Sequence, residues 1–266
     1  MNRLACIAVA SVLLAAVAPA TAASKFDGTW KFDIASQQVS TKPSVYLLTG
    51  GSYTCSTCVP AYTVVADGGF HPVAGNPYYD EVAVMVVDPR TIGWKSRKGG
   101  KPMVEFTRVV AANDASQTTT FTDMTAANGV AVTGKSTDKR AAAGPVGSHA
   151  ASGSWLDTTA AEAEVNDAAV LVTLHLDGEA MTFKTPTGVS YTTTIDGPQS
   201  PVVGDAGWTT VALKRTAPDT LVETDYRDGK ATGVFTYAMA ADGRTIRADQ
   251  QDLLHGTTSA VTLIKQ

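Results

Sequence analysis

Histidine is scarce in this sequence, with four residues in 266. None stands in an H-E-x-x-H spacing, and no G-x-S-x-G, phosphate-loop or Rossmann fingerprint is present. Classical hydrolase, zinc-protease and nucleotide-binding chemistry therefore find no support. Basic blocks are missing too. The formal net charge is −4, from 21 Lys and Arg against 25 Asp and Glu spread along the chain. Without a run of Lys or Arg, neither nucleic acid nor an anionic lipid surface is expected as a partner. Beyond Val17 no apolar run approaches the length that crosses a bilayer, so no membrane insertion is expected. Aromatic residues make up only 7% of the chain, and helical periodicity is hard to find. What remains is dominated by Thr, Val, Gly and Ala, a composition that reads as β.

Cysteine is nearly absent, with three residues, and the first belongs to a segment read as a secretory signal. Arg3 gives the positive start, Ala5 to Val17 the apolar run, and Ala20-Thr21-Ala22 a small-residue cleavage pattern. Residues 1–23 are thus expected to be removed, with the mature chain starting near Ala23 or Ser24 and residing in the periplasm or outside the cell. Cys55 and Cys58 remain, as C-x-x-C. A structural disulfide, a pair of metal ligands and a redox dithiol all use that spacing. An oxidising compartment makes the disulfide the default. Neither His71 nor His149 completes a recognisable metal set, and no thioredoxin-like βαβ pattern surrounds the pair. No metal and no cofactor are assigned.

The chain is written twice. Tyr191 to Gly204, YTTTIDGPQSPVVG, repeats Tyr62 to Gly75, YTVVADGGFHPVAG, at an offset of 129. The same offset relates Pro89 to Pro218, Gly100-Lys101 to Gly229-Lys230, Phe106 to Phe235 and Ala131-Val132-Thr133 to Ala260-Val261-Thr262. Gly153-Ser154-Trp155 echoes Gly28-Thr29-Trp30 at 125. Each half holds about eight short strands separated by turn signals such as Gly99-Gly100, Asp177-Gly178 and Asp228-Gly229. The expected fold is all-β: two tandem antiparallel meander barrels over residues 24–134 and 153–266, joined by an Ala/Gly/Ser-rich linker at 135–152. Two packed β-sandwiches are the alternative. Asp33 to Lys42 reads as a polar loop, and Asp157 to Asp167 as a short helix or loop.

Phe26-Asp27-Gly28-Thr29-Trp30-Lys31 resembles the leading G-x-W strand of the calycin superfamily, the lipocalins and cytosolic fatty-acid-binding proteins. Gly153-Ser154-Trp155 resembles it as well. More closely, the chain is similar to a group of uncharacterised exported bacterial proteins with two such tandem repeats. These carry Y-x-C-x-x-C-x-P-x-Y, here Tyr53 to Tyr62, and H-P-V-x-G-x-P-Y-Y-D, here His71 to Asp80. The resemblance spans nearly the whole mature chain. It implies lipocalin-like barrels with Trp30 and Trp155 across their ends, and it brings no activity with it.

Function is read from residues that the repeat does not require. Cys55, Cys58, His71, Tyr78 and Tyr79 do not recur in the second half. Tyr78, Tyr79, Trp94 and Trp208 are candidates to line a pocket. Arg215, expected to meet Asp225 and Arg227 across a hairpin, is a candidate to anchor an acidic group. Three functions follow. The first is the binding or carriage of a small hydrophobic molecule in the cell envelope. The second is a lyase, isomerase or hydratase on the same barrel, with His71, Tyr78 or Tyr79 as acid or base. The third is a structural role with filled barrels.

Overall fold

The computed structural model describes residues 24–158 and 164–266. The expected signal at 1–23 lies outside them. Among the described residues the chain is almost entirely antiparallel strand, arranged as two nearly closed barrels. No helix of the described residues is long and apolar enough to cross a membrane.

Turn chemistry sets the strand ends. Gly50-Gly51, Gly99-Gly100 and Asp228-Gly229 each hold two consecutive positive φ angles, the geometry of the tight hairpin whose twist suits flanking strands. Between turns, burial alternates as a half-buried strand requires. In Thr220–Arg227 the residues Leu221, Glu223 and Asp225 are buried, and in Thr91–Lys98 the residues Ile92, Trp94 and Ser96 are.

The repeat is visible strand for strand. Glu81–Asp88, Thr91–Lys98, Lys101–Val110 and Ser116–Asp123 correspond end for end, at an offset of 129, to Thr210–Ala217, Thr220–Arg227, Lys230–Met239 and Thr245–Asp252.

The division at 135–152 is corrected by the structure, because the halves exchange their leading strands. Gly28–Gln38 pairs with Leu171–Asp177 and Thr257–Lys265, completing the barrel of the second half. Gly153–Asp157 pairs with Val132–Ala143 and Ser44–Thr49, completing the barrel of the first. We call the barrel of Ser44–Asp157 the first and the other the second. Half of the expected linker belongs to strand Val132–Ala143, which pairs on both sides with Ser116–Asp123 and Gly153–Asp157. The expected loop at Asp33 to Lys42 is likewise strand as far as Gln38, with a register shift between Asp33 and Gln38. At 135–143 neighbours on both sides satisfy the backbone and override composition, while Asp33–Gln38 pairs on one side only, with Thr257–Lys265 at Asp33 and Gln38. Asp157 to Asp167 holds no helix among its described residues. It contributes the short strand Glu164–Val165, and a 3-10 turn, Asp167–Ala169, follows.

Each barrel is closed at one end by the tryptophan that the resemblance implied. Trp30 and Trp155 are fully buried, and each indole N–H donates to the carbonyl four residues earlier, at Phe26 (2.9 Å) and Ala151 (3.0 Å). A cation lies over each ring: Arg140 at 4.0 Å from the Trp155 centroid, Lys265 at 5.2 Å from that of Trp30. The Arg140 guanidinium also donates to the carbonyls of Ala150 and Ser152 at 2.7 Å, pinning the end of the expected linker to the barrel.

Candidate functional site

The two barrels differ in what fills them. Position Phe106 corresponds to Phe235, Tyr62 to Tyr191, Trp94 to Glu223, Ser96 to Asp225 and Arg108 to Tyr237. In the second barrel, Phe183 stacks on Tyr191 at 5.0 Å and the Tyr191 hydroxyl donates to Glu223. About 20 Å³ of space remains around these groups, and a recess of about 280 Å³ lined by Phe32, Ile34, Phe235, Ala248 and Gln250 lies further along the same barrel. The first barrel keeps a cavity of about 640 Å³ that opens at the end away from Trp155.

Alternation along the strands builds the walls of that cavity. Trp94 and Phe106 face inward from neighbouring strands and stack at 5.0 Å with planes 7° apart. Tyr79, in the loop before Glu81–Asp88, meets Trp94 edge-on at 5.5 Å. Tyr46, Tyr53 and Tyr62 line the opposite wall, their rings 6.2–6.3 Å apart in succession. The Trp94 indole donates to the Tyr62 hydroxyl at 2.9 Å, the first barrel's counterpart of the Tyr191–Glu223 bond. Burial pushes the phenol of Tyr46 up to about 12 and those of Tyr53, Tyr62 and Tyr79 above their usual value. These hydroxyls stay protonated at any physiological pH. Cys55 and Cys58 are joined in a disulfide at the mouth, which excludes both the metal and the free-dithiol readings in this state.

Arg108 stands inside this aromatic wall, while Lys42 lines the cavity from an exposed position. It projects from Lys101–Val110 between the rings of Tyr46 (4.4 Å) and Phe106 (4.7 Å), and its Nε donates to Thr119 at 3.1 Å. Its Nη1 is buried and has no partner. Asp157 also lines the cavity. Its carboxyl is raised by burial first and the charge of Asp138 second, against a smaller opposing effect from Arg108. The cavity thus offers an unused guanidinium donor beside a carboxyl with a reduced tendency to ionise.

The expected site residues separate. Tyr79 and Trp94 line the cavity. Tyr78, Tyr79 and Trp208 line a cleft of about 330 Å³ between the two barrels, where the Tyr78 hydroxyl donates to Asp205 at 2.8 Å. Trp208 stands edge-on to Phe183 and Tyr191. Arg215 lines neither space; it pairs with Glu179 at 3.2 Å. The hairpin register explains this: Arg215 lies opposite Leu221, while Asp225 lies opposite Val211. The expected meeting of Arg215 with Asp225 and Arg227 is corrected accordingly. His71 pairs with Asp67 at 2.8 Å on the outer strand Asp67–Pro72, apart from both spaces. His255 instead reaches the cavity mouth, in a turn of the second barrel, with Nδ1 2.6 Å from Asp252.

Tyr46, Tyr53, Tyr62, Phe106, Arg108 and His255 escape a reading that looks for unusual clusters. Phe106-x-Arg108 carried a signal all the same: two residues apart on a strand share a face, so an arginine in phase with an inward aromatic points into the barrel.

No protein-family model matches the chain, and no curated protein matches it. Fold and site define a class nonetheless: a strand-exchanged double β-barrel whose first barrel holds the larger, aromatic-lined cavity and whose second is more closely packed.

Proposed function

We propose that this protein is an exported carrier of a small hydrophobic molecule with an acidic end, held in the first barrel. One observation carries the reading: the unpartnered Arg108 Nη1 inside a cavity walled by aromatic rings. A buried donor without an acceptor is costly, and a ligand acid would remove that cost. The rings supply apolar contact, and the protonated phenols supply further donors. Barrels of this size either fill with side chains or enclose one small ligand, and a space of about 640 Å³ suits the second case.

The test uses 1-anilinonaphthalene-8-sulfonate, a hydrophobic anion whose fluorescence rises in apolar surroundings. Wild-type protein is expected to bind it one to one. Arg108→Met should weaken binding about ten- to a hundredfold, the worth of a charged hydrogen bond of roughly 1.5–3 kcal/mol. Its melting temperature should stay within a few degrees of wild type. Equal affinity in the variant would sink the reading. Native mass spectrometry of protein taken from an exporting host should show a bound acid that denaturation releases.

The enzymatic reading has one observation in its favour, the His255–Asp252 pair at the mouth. It requires the recovered ligand to be chemically altered on incubation with wild-type protein but not with His255→Ala. The carrier reading expects it unaltered by both. A purely structural role suits the second barrel's packing but leaves the first barrel's cavity without a purpose.

A further inference from the structure

The two barrels share their strand pattern and differ in the charge they place inside. Where the first has Arg108, the second has Tyr237; where the first has Trp94 and Ser96, the second has Glu223 and Asp225. Glu223 is buried and its carboxyl is raised by that burial, with the Tyr191 hydroxyl bonded to it. Asp225 is 7% exposed, and its carboxyl is raised by burial first and then by the Glu223 charge and a hydrogen bond to Glu223. The pair therefore holds a proton between its members. No N–H or hydroxyl donor reaches Asp225 Oδ1. None of the ion pairs among the described residues includes Glu223, Asp225 or Arg227.

Asp225 does not face the filled interior alone. It lines the cleft between the barrels together with Arg227, Gln250 and the rings of Tyr79, Trp208 and Phe235. Arg227 follows Asp225 by two residues on Thr220–Arg227, so both lie on one face of the strand, about 7 Å apart along it. An acid without a counter-ion and a guanidinium without one thus stand side by side, beneath aromatic rings. The space of about 330 Å³ equals roughly ten waters, the scale of one amino acid.

We propose that this cleft, which adjoins the mouth of the first barrel's cavity through Cys58, Val59, Tyr79, Leu254 and His255, is a second binding site, for an α-amino acid zwitterion with a hydrophobic side chain. Its ammonium group sits on Asp225, its carboxylate on Arg227, and its side chain against Trp208 and Phe235. An ammonium group supplies both things that the acid lacks, a donor for Oδ1 and a positive charge, and it gains further from the nearby rings. A simple amine would leave Arg227 unanswered, and a simple acid would leave Asp225 so.

Isothermal titration with L-phenylalanine, phenethylamine and 3-phenylpropionate tests the proposal. The titrations use the Arg108→Met protein, so that an anion bound in the first barrel is not counted. L-Phenylalanine is expected to bind one to one, at least tenfold more tightly than either fragment. Asp225→Asn should cost the amino acid and the amine tenfold or more and leave 3-phenylpropionate unchanged. Arg227→Met should do the reverse, bringing L-phenylalanine down to the level of phenethylamine. Because Arg227 stands at the mouth, that variant decides the matter if Asp225→Asn fails to fold. The proposal is overturned if millimolar L-phenylalanine gives no heat, if 3-phenylpropionate binds as tightly, or if neither variant changes affinity. Wild-type protein should bind L-phenylalanine as the Arg108→Met protein does, which keeps this result independent of the first barrel's.

Discussion

Gly28 and Gly153 hold equivalent places, two residues before the indoles that close the barrels, with φ of 134° and 128°. Their surroundings set them apart. A Cβ on Gly28 would meet the flexible end of Lys265, at 2.8 Å from Cε. A Cβ on Gly153 would lie 2.3 Å from the Ala142 carbonyl oxygen and 3.0 Å from the Gly144 nitrogen, neither of which can swing away. Both substitutions by alanine carry the strain of an unfavourable backbone, roughly 1–3 kcal/mol. Gly153→Ala adds a backbone collision, and is expected to cost at least about 2 kcal/mol more than Gly28→Ala in urea unfolding. Equal costs would mean that the strand relaxes. At this scale the sequence was legible where a residue is forced by geometry, as with these glycines, Trp30, Trp155 and the hairpin pairs. It was less so where a residue breaks a pattern quietly. Arg108 and Glu223 look like ordinary polar residues on half-buried strands, and only their phase along the strand marks them as interior.

Strand Thr220–Arg227 shows what a charged interior does to an element. Burial raises Glu223 to about 7, and burial followed by the Glu223 charge raises Asp225 to about 9, from ordinary values of 4.5 and 3.8. The folded protein therefore keeps a proton that the unfolded chain gives up near pH 4. The folded state binds more protons across this window, so stability falls as pH rises from about 4 through neutrality towards 9. The effect is on the order of a few kcal/mol. The melting temperature is expected to drop steadily from pH 5 to pH 9, and Glu223→Gln should flatten that slope by removing the charge that burial opposes. A wild-type melting temperature that holds level or rises across this range would contradict the assignment. Tyr191 and Tyr237 act in the same direction at higher pH, being raised well above 10 by burial. Asp67, Glu81 and Asp88 have lowered values and act in the opposite sense, on the acid side of the ordinary carboxylate range. Element boundaries were legible through the turns. The strands inside the segments Asp33 to Lys42 and 135–152 end at Gln38 and Ala143; they are polar or small-residue strands held by pairing, on both sides in the second and on one side in the first.

At the scale of the molecule, the repeat at an offset of 129 was legible and the exchange of leading strands was not. The reason is physical. A G-x-W strand needs a neighbour that lays a cation over its indole, and both Arg140 and Lys265 provide one. Trp30 could satisfy its local needs beside either, so nothing local in the sequence chooses between an exchanged and an unexchanged pair. The exchange leaves each half incomplete on its own. Residues 24–152 hold the first barrel without Gly153–Asp157, the strand that carries Trp155 and bridges Val132–Ala143 to Ser44–Thr49. Residues 153–266 lack Gly28–Gln38 and Trp30, which the second core surrounds with Val172, Leu213 and Leu263. Losing either buried tryptophan costs roughly 3–5 kcal/mol before the lost pairing is counted, a large share of the stability of an ordinary domain. Each half expressed alone is therefore expected to show no cooperative thermal transition, and the two mixed should form a one-to-one complex that does. Residues 44–157, which hold every strand of the first barrel except the short Glu164–Val165, should fold alone and keep the aromatic wall of the cavity, though not the part of its mouth formed by Leu254 and His255. A cooperative monomer formed by residues 24–152 would show that Trp30 can close its own half, and that the exchange is a choice between two nearly equal packings.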